Sequence, residues 1–234
     1  MKKIVFSFLC IAMLGLSGCI KDGDNITNYS PMLAVVGSTY SMQPTIETDI
    51  GTILAPDLME HFYVDLFEGD ALIVTFSIDY DNQPSTEYRT ASNLQYVKIG
   101  RSSPIPNSGS ESGDFSTPIE DLGDIYLLGN TLFFAFIHTA PGDQEFEYEM
   151  TYDREEDAAI PTIYLRAKKF GTGSIAEGTF PFLYAFDMRY FFMQYKDSEN
   201  NVKFNIKYKT GVNGDGTDKY NDWDDGNPIT IKVN

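Results

Sequence analysis

The chain is poor in the residues that most often announce chemistry. In 234 residues it has two cysteines, two histidines and one tryptophan. Both cysteines, Cys10 and Cys19, fall near the start, so a disulfide framework, a cysteine metal site and a thiolate nucleophile are excluded from the rest. Basic residues are also scarce, 17 against 34 acidic, for a formal net charge of −17. Nucleic acid carries the same sign, so a nucleic-acid partner is excluded. Beyond the first residues no apolar run approaches the length of a membrane-spanning helix.

What is present begins at the N-terminus. Lys2 and Lys3 precede an apolar run from Ile4 to Leu16, which is the length of a signal-peptide core and too short for a stop-transfer helix. Small residues then lead into cysteine. The string Leu16-Ser17-Gly18-Cys19 resembles the bacterial lipobox, which implies that Cys19 is lipidated and becomes the first mature residue. Residues 1–18 are then address, not fold. Their removal takes two lysines and no acid, leaving 15 basic and 34 acidic residues, a charge of −19 over 216 residues. Anionic headgroups repel such a chain, so attachment to the membrane falls to the acyl chains, each buried CH₂ contributing about 0.8 kcal/mol. Residues 19–31 read as a polar tether.

The remainder reads as strands and turns. Met32–Ser38, Ile50–Pro56, Ala71–Asp79 and Leu94–Arg101 are short β-type runs separated by turn residues, as in a small barrel or meander over 32–103. Residues 104–118, rich in Ser, Gly and Pro, read as a linker or long exposed loop. From 119 to 234 the strands resume. Glu145–Asp153 alternates Phe146, Tyr148 and Met150 with Glu145, Glu147 and Glu149, a strand with one wet face. About seven strands without disulfides favour a β-sandwich. Met188–Tyr195 is apolar without a clean period, leaving strand or short helix open. The expected fold class is all-β: a small N-terminal barrel and a C-terminal sandwich.

The strings GTILAP, EGDALIVTFSI and YVKI in the first half, and NTLFFAF, IYLRAKKFG, FLYAFDM and VKFNIKYKT in the second, resemble the NigD-like lipoproteins of Bacteroidetes. The resemblance implies an OB-like N-terminal domain and a C-terminal β-sandwich. It defines no catalytic residues, and the family name comes from a bacteriocin locus. In lipoproteins of that phylum an acidic stretch after the cysteine resembles a signal for export to the cell surface; Asp22 and Asp24 match it in part. The expected location is the outer membrane, surface-exposed or periplasm-facing.

Several patterns carry chemistry at first sight. Gly171-Thr172-Gly173-Ser174-Ile175-Ala176 fits a dinucleotide fingerprint, but Glu177-Gly178-Thr179 and Pro181 follow where a helix is required, so it reads as a loop between strands. His61 and His138 lack a nucleophile elbow or a third ligand nearby, and read as strand-end residues. No pair among the many carboxylates stands out for hydrolysis. The densest oxygen-ligand cluster is C-terminal: Asn213, Asp215, Asp218, Asn221, Asp222 and Asp224, with Thr217 and Asp225. Its spacing imitates a calcium loop, but Asp218 sits where glycine is expected and the flanks are strands, so a long solvated acidic hairpin is the favoured reading and calcium the lesser one. Trp223 lies within it and is placed to stack on a sugar or to fold back over its hairpin. The expectation is a lipid-anchored, non-enzymatic binding or accessory protein with an unidentified protein or glycan partner. The alternatives are a glycan-binding surface lipoprotein, a bacteriocin-associated immunity or accessory protein, and a hydrolase.

Overall fold

The computed structural model describes residues 25–84, 87–106, 114–153 and 160–233. Cys19 and the segment before it lie outside the described residues. The chain divides into two compact units, the first ending at Ile99 and the second beginning at Gly100.

The first unit is built from β1 (Ile26–Ser38), β2 (Pro44–Thr48), β3 (Gly51–Leu54), β4 (Ala71–Asp79) and most of β5 (Arg89–Ser102). The strands pair in the order β3-β2-β1-β4-β5, and β3 also pairs in parallel with β5 through Ile53–Arg89 and Leu54–Thr90. That last pairing closes the ring and satisfies the two edges an open sheet would leave. Alternation points one face of β4 inward: Leu72, Val74, Phe76 and Ile78 are buried with Ala34, Val36, Ile46 and Ile53 from the neighbouring strands. β1 reaches back into the stretch expected as a tether, pairing Ile26–Tyr29 with Asp79–Phe76. A register shift follows between Tyr29 and Met32, where Pro31 has no amide hydrogen to donate.

The second unit has two sheets. One holds β7 (Asp121–Leu128), β8 (Thr131–Pro141) and β11 (Glu177–Asp187), with Gly100–Ser102 at the end of β5 pairing in parallel to Tyr184–Phe186. Gly100 is required there, because a Cβ would lie 2.5 Å from the Tyr184 ring. The other sheet runs β13 (Asp218–Asp222), β12 (Asn201–Val212), β10 (Thr162–Phe170), β9 (Glu145–Tyr152) and β6 (Ile105–Pro106), with β14 (Ile229–Lys232) against the first part of β12. A shared core draws Phe134, Phe136 and Phe186 from the first sheet and Tyr148, Met150, Leu165 and Phe204 from the second.

One open alternative is decided and one expectation changes. Met188–Tyr195 contains the helix α1 (Arg189–Tyr195). Met188, Phe191 and Phe192 are buried and Tyr195 packs against them, the spacing of one helical face. The exposed Tyr190 and Met193 hid that period in the sequence. The 104–118 stretch, read as a linker, is tied into the second unit at both described ends. Ile105–Pro106 pairs with Thr151–Tyr152. Thr117 N donates to Ala167 O at 3.0 Å and Ile119 N to Lys209 O at 2.8 Å, so this strand-like piece wedges between the diverging ends of β10 and β12. Residues 107–113 lie outside the described residues.

Candidate functional site

The most exposed apolar surface of the first unit comes from two loops. The first joins β1 to β2. Thr39 N donates to Gln43 O at 2.9 Å and Met42 N to Thr39 O at 2.9 Å, while the Thr39 hydroxyl accepts from Gln43 N at 3.2 Å. This tight closure holds Met42 at φ 63° and leaves the Tyr40 side chain fully exposed. The second loop joins β3 to β4. It begins with a 3-10 turn at Pro56–Leu58 and continues as successive turns in which His61 O accepts from the amides of Val64, Asp65 and Leu66. Leu58, Phe62 and Leu66 anchor it in the core. Between those anchors Met59, Tyr63 and Val64 are turned outward, as is Phe67 just after the last, with Tyr63 at φ 63°.

The loops touch. The Tyr63 hydroxyl lies 3.6 Å from Met42 Sδ and 3.4 Å from Glu68 Oε1, and the Ser38 hydroxyl donates to the same Glu68 oxygen. A left-handed backbone costs a residue with a side chain about 1–3 kcal/mol. Two such residues are in contact at the tip of this apolar surface.

The electrostatics are one-sided. From Asp22 to Tyr88 the chain contains no lysine or arginine and twelve Asp or Glu. Lys98 reaches the second loop and is engaged there: its Nζ lies 2.7 Å from Asp70 Oδ2, donates to Asp65 O at 3.0 Å and stands 6.0 Å from the Phe67 ring centre. Asp65 also lies 3.2 Å from His61 Nδ1. His61 is thus a loop residue rather than a strand end.

His138 is not at a strand end either. It lies within β8, 2% exposed, stacked on Phe146 at 4.2 Å between ring centres. Burial lowers its pKa to about 4, against the Pro118 carbonyl that accepts from the ring and the Glu120 carboxylate, both of which raise it. Nε2 has no partner among the described residues. Beside the ring is a cavity of about 230 Å³ lined in part by Thr117, Glu120, Thr139 and Lys169. A neutral, stacked imidazole is a core residue, and no group of three or more His, Cys, Asp or Glu accompanies it as a metal site among the described residues.

The structure distributes the C-terminal acidic residues instead of gathering them. Asp218–Asp222 is strand β13, not loop. Asp218 turns onto the outer face of its sheet, where its carboxylate accepts from Lys209 Nζ, lies 3.8 Å from Arg166 Nε and accepts from the Tyr220 hydroxyl at 3.2 Å. Arg166 also donates to Tyr220 Oη at 2.7 Å and Glu149 Oε1 at 3.4 Å. Both cations are 4% exposed. Burial pushes the Tyr220 phenol up to about 12, although the Arg166 guanidinium pulls it down. Asp222 pairs with Lys207 at 3.3 Å. Asp215 caps its own turn, accepting from Thr217 N and Oγ1 at 3.0 and 2.7 Å, and Asn213 Nδ2 donates to Thr217 Oγ1 at 3.0 Å. Asn221 sits opposite Tyr208 and hydrogen-bonds its hydroxyl. Asp224 and Asp225 take left-handed backbone beyond the strand. No group of three or more His, Cys, Asp or Glu side chains converges on a metal position among the described residues. Trp223 is half-buried and packs against the core of the second unit, so it folds back.

The fingerprint-like segment Gly171–Ala176 is a loop between β10 and β11, held by Asp143, whose carboxylate accepts from the amides of Ser174 and Ile175 and the Ser174 hydroxyl. No described helix is long and apolar enough to cross a membrane.

Fold and surface together define an all-β protein of two units with an acidic, apolar-tipped loop surface on the first. Most of the chain shares its fold with solved proteins of Bacteroidetes. One is an uncharacterised protein of Parabacteroides merdae, 16% identical, with a TM-score of 0.64 over 88% of this chain and 100% of that one. Another is a candidate lipoprotein of Bacteroides fragilis, 14% identical, with a TM-score of 0.54 over 89% and 99%. A NigD-like immunity protein of Bacteroides caccae is 15% identical, with a TM-score of 0.47 over 82% and 91%. At these identities the first two neighbours show the fold alone. No protein-family model matches the chain, and no curated protein does.

Proposed function

We propose that this is a lipid-anchored protein of the outer membrane with a non-enzymatic binding or accessory role, whose partner docks on the two joined loops of the first unit. The closed five-strand ring is read here as the OB-like barrel, and the second unit as the sandwich that follows it; loops at the rim of such barrels are common ligand surfaces. The observation that carries the reading is the contact between Met42 and Tyr63, two non-glycine residues in left-handed backbone at the tip of an exposed Tyr, Met and Phe surface. The anchor rests on the LSGC string ending in Cys19.

Two measurements test the reading. Fatty-acid labelling in cells marks the wild type and leaves Cys19→Ser unmarked; equal labelling of both defeats the anchor. A photo-crosslinking amino acid at position 40 gives a discrete adduct in living cells, while the same group at the exposed Tyr190 of the second unit does not. Indistinguishable patterns at 40 and 190 remove the loop surface as the docking face.

A further inference from the structure

We infer that the loop surface of the first unit receives a cationic polypeptide segment with an apolar face. This deepens the proposed function and rests on its reading of that surface.

The argument starts from side-chain chemistry. Tyr40, Met42, Met59, Tyr63, Val64 and Phe67 are all at least about half exposed on the two loops. Aromatic residues and methionine are the types enriched at protein interfaces, the rings as rigid anchors and methionine as an adaptable filler. Large apolar groups brought together on a surface mark a contact site, whereas scattered ones do not. Here the contact of Tyr63 with Met42 joins the two loops, the Phe62 and Tyr63 rings at 4.2 Å tie that junction to the core, and Met59, Val64 and Phe67 stand on the same short loop as Tyr63. The surface is therefore built to bury apolar area.

Charge then selects the partner. Glu60, Asp65 and Glu68 lie in the second loop among the exposed apolar residues. Between residues 25 and 99 the chain has ten Asp or Glu and two Lys or Arg. Both cations are engaged, Arg89 over the Tyr80 ring at 5.4 Å and Lys98 on Asp70 at 2.7 Å. A field of one sign steers and retains ligands of the opposite sign and rejects like charge. Anionic lipid and acidic polypeptides are thus disfavoured. A partner that satisfies both the apolar tips and the carboxylates presents apolar residues flanked by Lys or Arg.

The test uses the folded, unlipidated chain and a fluorescent synthetic amphipathic Leu/Lys peptide as probe, with a Leu/Glu peptide and phosphatidylcholine vesicles as competing classes. The Leu/Lys peptide binds, weakens as salt rises and weakens again in Glu60→Lys. Replacing Tyr40, Met42 and Phe67 together with Ser leaves net charge unchanged and lowers affinity about tenfold or more. Tyr190→Ser, on an exposed residue of the second unit, leaves affinity unchanged. Far-UV circular dichroism of each variant checks that the fold persists; should the triple variant misfold, the charge-neutral Tyr40→Ser at a fully exposed position carries the test, a loss of affinity supporting the inference and affinity equal to the wild type overturning it. Equal affinity of the triple variant and the wild type overturns the inference, since binding would then be general attraction to an acidic protein. Equal binding of the Leu/Glu peptide overturns it, as does a preference for the vesicles. If the Leu/Lys peptide does not bind while the adduct at position 40 persists in cells, the cationic class falls and the docking face stands.

Discussion

The Tyr63 hydroxyl lies 3.6 Å from the Met42 sulfur, and both residues hold φ 63° in loops that are separated by two strands in sequence. Each is a long side chain on backbone that favours glycine. The two are held there by different hydrogen bonds, Thr39 with Gln43 for one and Tyr63 N to Leu66 O at 2.7 Å for the other. The strain is therefore set by loop closure.

Met42 separates conformation from contact. Met42→Gly relieves the left-handed strain and loses little packing, because the side chain is mostly exposed. Its stability to urea stays equal to the wild type or rises by up to about 1 kcal/mol. Met42→Val adds β-branching to the same backbone and lowers stability by about 1–2 kcal/mol. The reverse order of the two variants would mean that the Met42 side chain stabilises the loop.

His138 gives the second unit a pH dependence of known sign. Its folded pKa of about 4 lies below its ordinary 6.5, so the unfolded chain binds the proton first. The contribution is fully present above pH 6.5, falls as pH drops toward 4 and stops changing below that. The size is a few kcal/mol at most, from 1.36 kcal/mol per pKa unit. His138→Phe keeps the aromatic stack on Phe146 and flattens the profile in that window. A ring titration near 6.5, followed by NMR, would show the imidazole to be accessible and the window wrong.

How much of this was readable beforehand depends on how local each feature is. Phe146, Tyr148 and Met150 alternate with glutamates, and that strand is visible because its period lies within a few residues. The absence of Lys and Arg from 22 to 88 was also plain in the sequence, yet it carries no position on the surface. Which apolar residues face out was not legible: Leu58, Phe62 and Leu66 go in while Tyr63, Val64 and Phe67 come out of the same run. That choice depends on a core supplied by strands far along the chain. The acidic C-terminus looked like a ligand set because its partners are remote. Asp218 meets Arg166 across 52 residues, a pairing that spacing within 213–225 cannot reveal.

Asp218 therefore tests ion pairing against calcium. Asp218→Ala leaves Lys209 and Arg166 buried beside each other with one carboxylate fewer, and lowers stability by about 3–5 kcal/mol. Asp224→Asn keeps a residue type that tolerates left-handed backbone at an exposed position and changes stability by about 0.5 kcal/mol or less. After chelation, adding calcium leaves the gap between these variants unchanged. A calcium-induced rise in melting temperature that disappears with Asp218→Ala would restore Asn213, Asp215, Asp218, Asn221, Asp222 and Asp224 as a ligand set.

Gly173 tests the meaning of the glycine fingerprint. Glycine at Gly171 serves a turn at φ 61°, but Gly173 is needed for closeness. A Cβ there would lie 2.3 Å from Pro141 Cβ and 2.7 Å from Asp143 Oδ1, both far inside contact. Pro141 is the end of β8, paired to Glu177, and cannot swing away as a flexible side chain would. Asp143 is held by the Ser174 hydroxyl at 2.6 Å, the first cause of its pKa falling to about 2. Gly173→Ala therefore forces the loop off Asp143 and lowers stability by about 1–3 kcal/mol. The Asp143 carboxylate then titrates closer to its ordinary 3.8, which NMR reads directly. Under a nucleotide-binding reading the same substitution spares stability and removes protection by an added dinucleotide. Unchanged melting of Gly173→Ala, together with stabilisation of the wild type by NAD, would return that loop to phosphate chemistry.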